Sequence, residues 1–438
     1  LKRVPSALHM TPKDNASAGR MVWKVGSLSY GAAGLATVFL WLLWGDFAWS
    51  LKERAVPAIV QLLLRKFEAS DLLVGIFIGA LPQAVWVILG PIVSYRSDRH
   101  RGRWGRRIPY LLLTTPVAVI AIVGLAFSPA LADWISSLGG GWLKPALLTV
   151  LTLGVFWTLF ELATVAANSV FAGLINDVVP PQLIGRFFGL FRALSLIAGM
   201  VFNYWLFGKV ETHYVPILVG LGLVYGVGFT LMCLKVKEGS YPPPPEVAAD
   251  KQGLGASARS YLRDCFTDGY YLWLYAAMAF AYMGLVSVSL FSVFFAKSVA
   301  MSMDAFGKYL ALTYGVSLVI SYGLGAVADR FHPLRAGLVV LTLTAAVDLW
   351  GGLFAVSAGA FVPVLVLQAV LAGAFMTVTA SLPQRLLPRG RFAQFNSALE
   401  VCKNLGIMVA APAVGWLLDI TGRDYRHTYM AGFVFSGM

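Results

Sequence analysis

The chain has 438 residues, of which 58% are hydrophobic and only 13% charged. Soluble globular domains carry about 25% charged residues, so the composition excludes a free-standing soluble protein and points to an integral membrane protein. The net charge of +13 would suggest nucleic-acid binding in a soluble chain, but here Lys and Arg gather in alternate loops, as membrane topology requires.

In chain order, residues 1–24 are polar and basic with no apolar core of their own, and read as a cytoplasmic tail rather than a signal peptide. Apolar stretches of the length needed to cross a bilayer, about 20 residues, then recur at 31–64, 71–95, 107–130, 143–172, 187–208 and 214–235. They resume at 270–296, 305–328, 336–357, 360–383 and 393–418, with a partial twelfth from 427. Between the sixth and seventh lies KVKEGSYPPPPEVAADKQGLGASARSYLRD, a charged segment with four consecutive prolines, expected to be solvated and partly polyproline in character. The predicted organisation is an all-α membrane protein: a tail (1–24), a six-helix bundle (25–236), a cytoplasmic linker (237–268) and a second bundle (269–438) of five helices and the start of a sixth. Cys233, Cys265 and Cys402 are far apart and lack CxxC spacing, so neither a disulfide framework nor a metal site is expected, and no cofactor.

The loop after the second stretch, SYRSDRHRGRWGRR, holds six arginines between Arg96 and Arg107. Arg186, Arg330, Arg335, Arg385, Arg389 and Arg391 fall in loops of the same parity, which places the N-terminus and all these loops in the cytoplasm of a plasma or bacterial inner membrane. The halves repeat one another. GRFFGLFRAL (185–194) and GRFAQFNSAL (390–399) each open the fifth helix of their half, and GPIVSYRSDR (90–99) and GLGAVADR (323–330) each close the second with Asp-Arg. Two similar six-helix halves imply a transporter with its substrate site between them near the bilayer midplane.

These residues also carry a family resemblance. G-x-x-x-S/A-D-R followed by a basic G-R-R is the loop signature of the major facilitator superfamily. SDRHRGRWGRRIPY (97–110) and FWTLFELATVAANSVFAGLINDVVP (156–180) resemble the corresponding loop and fourth helix of the sucrose/proton symporters and the glycoside-pentoside-hexuronide cation symporters. The resemblance implies a twelve-helix facilitator fold in which helices one, four, seven and ten line a central cavity, with two, five, eight and eleven beside them. Asp98, Arg99, Arg106 and Arg107 in one half, and Asp329 with Arg330 in the other, are expected to pair across the cytoplasmic face while the halves meet there, forming a gate.

WLLWGDFAWSLKERAVP (41–57) places Asp46, Lys52, Glu53 and Arg54 near the middle of the first helix. At about 100° per residue, Asp46, Trp49, Ser50 and Glu53 share one stripe, with Arg54 about 80° to one side and Lys52 about 120° to the other. A charge at the bilayer centre costs a few kcal/mol even on lenient scales, so the stripe is expected to face a wet cavity or opposite charges. Partners are Glu161, Thr164 and Asn168 in the fourth helix, Arg192, Ser195 and Asn203 in the fifth, and Asn396, Glu400, Lys403 and Asn404 in the eleventh. Asp348, in the ninth helix, reads as structural.

No histidine lies deep in a span, so carboxylates must titrate in any proton coupling. Burial raises a carboxylate's pKa and a nearby cation lowers it, so relative motion of the two couples proton affinity to conformation. Glu53, Glu161 and Asp46 are the candidates, supported by Arg192, Glu400 and Lys403. Sugar recognition needs flat apolar faces and hydroxyl-bonding groups. Trp44, Trp49 and Trp157 are candidates for the first, and Asp46, Glu53, Asn168, Gln368, Gln384 and Asn396 for the second. The sequence holds no G-x-S-x-G, HExxH or Walker motif, so no enzyme is expected. The expected protein is a monomeric symporter moving a small polar solute, a sugar or glycoside, with protons by alternating access. The alternatives are sodium coupling, export of an amphiphile or drug, and a non-transporting assembly or pigment-binding factor on the same scaffold.

Overall fold

A computed structural model describes residues 22–138, 145–240, 254–388 and 391–438. Among these, nine stretches are long and apolar enough to cross a membrane. One of them, Ile184–Lys235, is two helices, Ile184–Val201 and Val210–Lys235, joined through a π turn at Phe202–Leu206 and a 3-10 turn at Phe207–Lys209. Met303–Phe331 is an eleventh helix of spanning length, and Arg426–Gly437 begins a twelfth. The remaining spans are Ala32–Lys66, Asp71–Arg99, Ile108–Leu138, Pro145–Val178, Gly269–Ser298, Pro333–Phe354, Ala358–Thr379 and Phe392–Ile420. Side-chain caps start several of them: Ser70 accepts from the Leu73 amide, Asp268 from Tyr270, Ser302 from Ala305 and Ser357 from Ala360, each satisfying an amide with no partner in the first turn.

Within the first half, the first span packs on the fifth and sixth, the third on the fourth and sixth, and the second on the fourth. In the second half, the seventh packs on the eleventh and twelfth, the ninth on the tenth and twelfth, and the eighth on the tenth. Two seams join the halves, second span against eleventh and fifth against eighth. Both are close backbone contacts. A Cβ on Gly75 would collide with the Ala411 carbonyl, and one on Gly307 with the Asn203 carbonyl, so only glycine permits this approach. The first-half helix at each seam carries a π turn, Gly75–Ala80 in the second span and Phe202–Leu206 in the fifth.

The alternate loops rich in arginine share one face, the basic face; the loops around residues 67–70, 207–213, 299–302 and 421–425 form the opposite face. Three features depart from the sequence reading. The third and fourth helices run on to Leu138 and Val178, with Asp133 and Asp177 carried on turns that emerge beyond the apolar stretch. Trp23–Val25 and Leu28–Tyr30 pair as a small antiparallel hairpin across the expected boundary between tail and first bundle, with Gly26 at φ 55 in its turn. The linker contains an amphipathic helix, Leu254–Phe266. The four-proline run and most of the predicted tail lie outside the described residues.

Candidate functional site

The charged cluster of the first span sits at mid-helix and points three ways. Lys52 is fully buried and turns into the first half, its Nζ donating to Thr164 Oγ1 at 3.0 Å. Three rings surround it: Nζ lies 3.7 Å from the Trp49 ring centroid, 4.9 Å from Tyr225 and 5.1 Å from Phe160. Cation–π contacts of this kind reach about 2 kcal/mol or more when desolvated. Glu161, 7% exposed, is buried beside this ammonium and within electrostatic reach of Glu53. Glu53 itself is exposed and accepts from the Trp49 indole N–H at 3.0 Å. One indole therefore links a buried cation to an open carboxylate.

Arg54 points to the seam between the fifth and eighth spans. Its Nε and Nη2 donate to Ser195 Oγ at 3.3 and 3.0 Å, and its guanidinium stacks 4.8 Å from the Tyr314 ring centroid. Tyr314 belongs to the second half, so this arginine bridges the halves at mid-depth. Arg192, one helical turn from Ser195, is exposed and within electrostatic reach of Arg54 and Tyr314. It does not serve as the partner of Glu161, whose cation is Lys52. Asp46 is buried, and its Oδ2 has no hydrogen-bond partner among the described residues.

Across the second half, Lys403 donates to Glu400 at 2.7 Å and lies 4.3 Å from the Tyr282 ring centroid, a second lysine over an aromatic face. Gln368 is 3% exposed with its Nε2 unpartnered among the described residues, and Asn168 is exposed on the fourth span. Other expectations are corrected. Trp49 is 4% exposed, enclosed by Lys52, Phe171, Tyr225 and Phe229, and Trp157 is 1% exposed with its indole bonded to the Phe77 carbonyl. Neither offers an open face to a sugar ring. Trp44 packs on Phe47 and against Gly228 of the sixth span. Asn396 sits in the first turns of the eleventh span and Gln384 in the short helix Leu382–Leu386, both towards the basic face rather than mid-depth. Asp348 is fully buried against Gly432 of the twelfth span.

On the basic face, Arg106 grips Asp177 through two nitrogens, while Arg107 pairs with Asp98 and reaches Asp177 at 3.3 Å and Ser97 Oγ at 2.6 Å. These partners all belong to the first half, so the ion pairs expected to run between the halves instead lock the second, third and fourth spans together. The cause is the extended fourth helix, which brings Asp177 under both arginines. Arg99 stacks 3.6 Å from the Tyr95 ring centroid, and Arg330 lies exposed beside Phe331; the Asp329 side chain is outside the described set. Glu238, not singled out from the sequence, accepts from the backbone amides of Arg106, Arg107 and Ile108 at 2.9, 2.8 and 2.7 Å. It caps the third span, where amides and macrodipole favour an anion.

Apart from Arg54 on Tyr314 at mid-depth, the polar contacts described between the halves lie on the opposite face, where sequence reading placed nothing. Asp419, at the end of the eleventh span, accepts from the Asp71 and Leu72 amides at 2.9 Å each, capping the second span from the other half. The Asp71 carboxylate, fully buried, accepts in turn from Tyr425 Oη at 3.1 Å and faces Arg423 Nε at 3.7 Å. Lys297 pairs with Glu211 at 2.5 Å, also between halves. The signal available was the Ser-Asp dipeptide at 70–71, a helix start, together with an acid at the end of a span.

The arrangement is similar to known proteins. The family described as MFS/sugar transport protein matches residues 34–389. Among solved structures, a D-xylose-proton symporter superposes with a TM-score of 0.67 at 14% identity, covering 92% of this chain and 96% of that one. A bacterial homologue of the human lysosomal transporter Spinster, inward-facing and unoccupied, gives 0.63 at 14% identity over 92% and 94%. A bacterial homologue of the iron transporter ferroportin, also inward-facing, gives 0.60 at 15% identity over 92% and 96%. At these identities the likeness is one of fold.

Proposed function

The chain belongs to the MFS/sugar transport protein family, an integral membrane transporter family, and from that premise we propose that it moves a small polar solute, a sugar or glycoside, together with protons. The observation that carries the coupling is the caged Lys52 beside Glu161, tied through Trp49 to the exposed Glu53. A buried carboxylate and ammonium control one another's protonation, so changing their separation as the halves rock changes Glu161's hold on a proton. Glu53 and Trp49 lie on the same stripe, and a solute engaging Glu53 would strain the indole that roofs Lys52. Solute and proton then bias one two-state equilibrium, and symport results when both favour the same state.

Recognition is assigned to Glu53, Asn168 and Arg192 from the first half and to Tyr314 and the Glu400–Lys403 pair from the second. Together they present carboxylate, amide and cationic groups suited to sugar hydroxyls. With the contacts between halves on the opposite face and the basic face taken as cytoplasmic, the conformation is the one that admits solute from inside.

The test is uptake into proteoliposomes over a panel of mono- and disaccharides, with and without a pH gradient. The expected result is gradient-driven uptake of a sugar that Glu161→Gln and Glu53→Gln uncouple, leaving at most downhill exchange. Driven uptake with unchanged pH dependence in both variants would overturn the coupling assignment. Sodium coupling keeps one supporting observation, the unpartnered Asp46 Oδ2, since hard cations favour oxygen ligands. Uptake that tracks a sodium gradient at constant pH, and is lost in Asp46→Asn, would replace protons with sodium.

A further inference from the structure

The loop that carries the Arg106–Asp177 cluster also walls a groove of about 750 Å³ on the basic face, between the start of the third span and the end of the sixth. Among the described residues, Arg101, Arg103 and Lys237 line it with one acid, Glu238, and Arg101 is already tied through Nη1 to the Asp98 and His100 carbonyls. That acid is already engaged, because both of its carboxylate oxygens accept the amides that open the third span. The groove therefore presents a surplus of positive charge. Its shape is set by a tight turn in which Gly102 and Gly105 exchange backbone hydrogen bonds, with Gly105 at φ 99, and by Ser27 of the N-terminal hairpin, whose Oγ accepts from the Ser240 amide at 2.8 Å.

An apolar track runs straight into this basic pocket. On the sixth span, Val227, Leu231 and Leu234 are 57%, 38% and 54% exposed, and their spacing of four and three residues keeps them on one helical face. Leu234 itself lines the groove, and Lys237 follows just beyond the end of the helix, where the chain turns extended at Val236. Trp104, 55% exposed, also lines the groove, and an exposed indole favours the boundary between headgroups and acyl chains. The third and sixth spans pack on one another at the rim of the first half, so the track borders the bilayer rather than the central site.

We propose that this groove is a binding site for an anionic phospholipid, its phosphate held between Arg103 and Lys237 and an acyl chain laid along Val227, Leu231 and Leu234. Charge complementarity selects an anionic headgroup over a zwitterionic one, and the apolar track selects a lipid over a free anion. Because Glu238 and the 101–107 loop are shared with the Arg106–Asp177 cluster, the bound lipid braces the cap of the third span from outside. The site stands apart from the solute site and is independent of what the protein carries.

The experiment is native mass spectrometry of the purified full chain titrated with phosphatidylglycerol, phosphatidylcholine or glycerol phosphate, comparing wild type with Arg103→Gln/Lys237→Gln. Neither residue takes part in the ion pairs that hold the first half, and a thermal midpoint in lipid-free detergent confirms that the variant is folded. The expected result is retention of at least one phosphatidylglycerol and little phosphatidylcholine or glycerol phosphate. Each basic residue near a membrane surface contributes about fivefold in affinity for anionic lipid, so the double variant should bind about 25-fold more weakly. Leu231→Gln, which cuts the apolar track and keeps the charges, should weaken retention as well. Equal retention of phosphatidylglycerol by wild type and the double variant would overturn the site. Retention of glycerol phosphate as tight as that of the lipid would overturn the assignment of a lipid.

Discussion

The basic face and the opposite face use the same chemistry for different ends. On each, a carboxylate caps the free amides that open a helix: Glu238 the third span, Asp419 the second. Glu238 and its amides belong to one half, so the contact persists however the halves rock, and it helps fix the fold. Asp419 and its amides belong to different halves, so under the proposed alternating access their contact would exist in one end state only and would bias which state is populated. What separates a structural cap from a conformational switch here is whether donor and acceptor ride on the same rigid body.

The largest effect that would sharpen this contrast is expected from Asp177→Ala. It removes the carboxylate shared by Arg106 and Arg107 in a site where the Arg107 and Asp177 side chains are only 9% and 11% exposed, leaving Asp98 to Arg107, and breaking such a pair costs about 3 kcal/mol. The thermal midpoint should fall by several degrees, while the distance between spin labels at Glu68 and Ile420, across the opposite face, stays unchanged. A changed label distance would mean that the basic cluster also sets the conformation.

Asp419→Ala should do the reverse. Losing two hydrogen bonds to a charged group, together with its favourable place at a helix start, is worth about 2 kcal/mol, a shift of roughly 30-fold in the two-state equilibrium. The label distance across the opposite face should lengthen with little change in the thermal midpoint. An unchanged distance would demote the contact between Asp419 and the second span to passive packing.

Glu238→Ala should cost about 1 kcal/mol, the usual worth of a cap, and appear as faster amide exchange at Arg106, Arg107 and Ile108 without movement across the opposite face. The smallest effect belongs to Lys297→Ala. The Lys297–Glu211 pair also joins the halves, but its side chains are 29% and 46% exposed, and exposed pairs contribute about 0.5 kcal/mol. Its removal should shift the equilibrium by no more than about threefold, and raised salt should erase the difference.

The helices and the two-fold repeat were legible in the sequence because span length, hydropathy and basic loops are local properties, readable segment by segment. The site was legible only in part. Angular phase along the first helix separated Lys52, Glu53 and Arg54 correctly into three directions. It could not say that Lys52 would meet Tyr225 from the sixth span, and hence that Trp49 would be enclosed by a cation and three rings. The pairing of Arg106 and Arg107 depended on which way Asp177 faces at the end of the fourth helix, and hydropathy says nothing of which loop a terminal acid meets. Asp71 and Asp419 escaped notice because an acid at the end of a span is commonplace until the amides it faces are known.

The π turn at Gly75–Ala80 lies between the two ends of the second span, one held by Asp419 and the other contributing Asp98 to Arg107. A π turn sets the angular phase between the helical segments on its two sides. A π turn takes up one residue more than an α turn, so removing a residue there would restore ordinary winding with little change of phase, whereas removing one from the α-helical part of the span would turn Asp98 by about 100° relative to Asp71, and the helix could then satisfy its contacts at one membrane surface or the other but not both. The residue count between Ala80 and Asp98 is thus a timing element, intolerant of an inserted or deleted codon, while the π turn itself is the one place in the span able to absorb it.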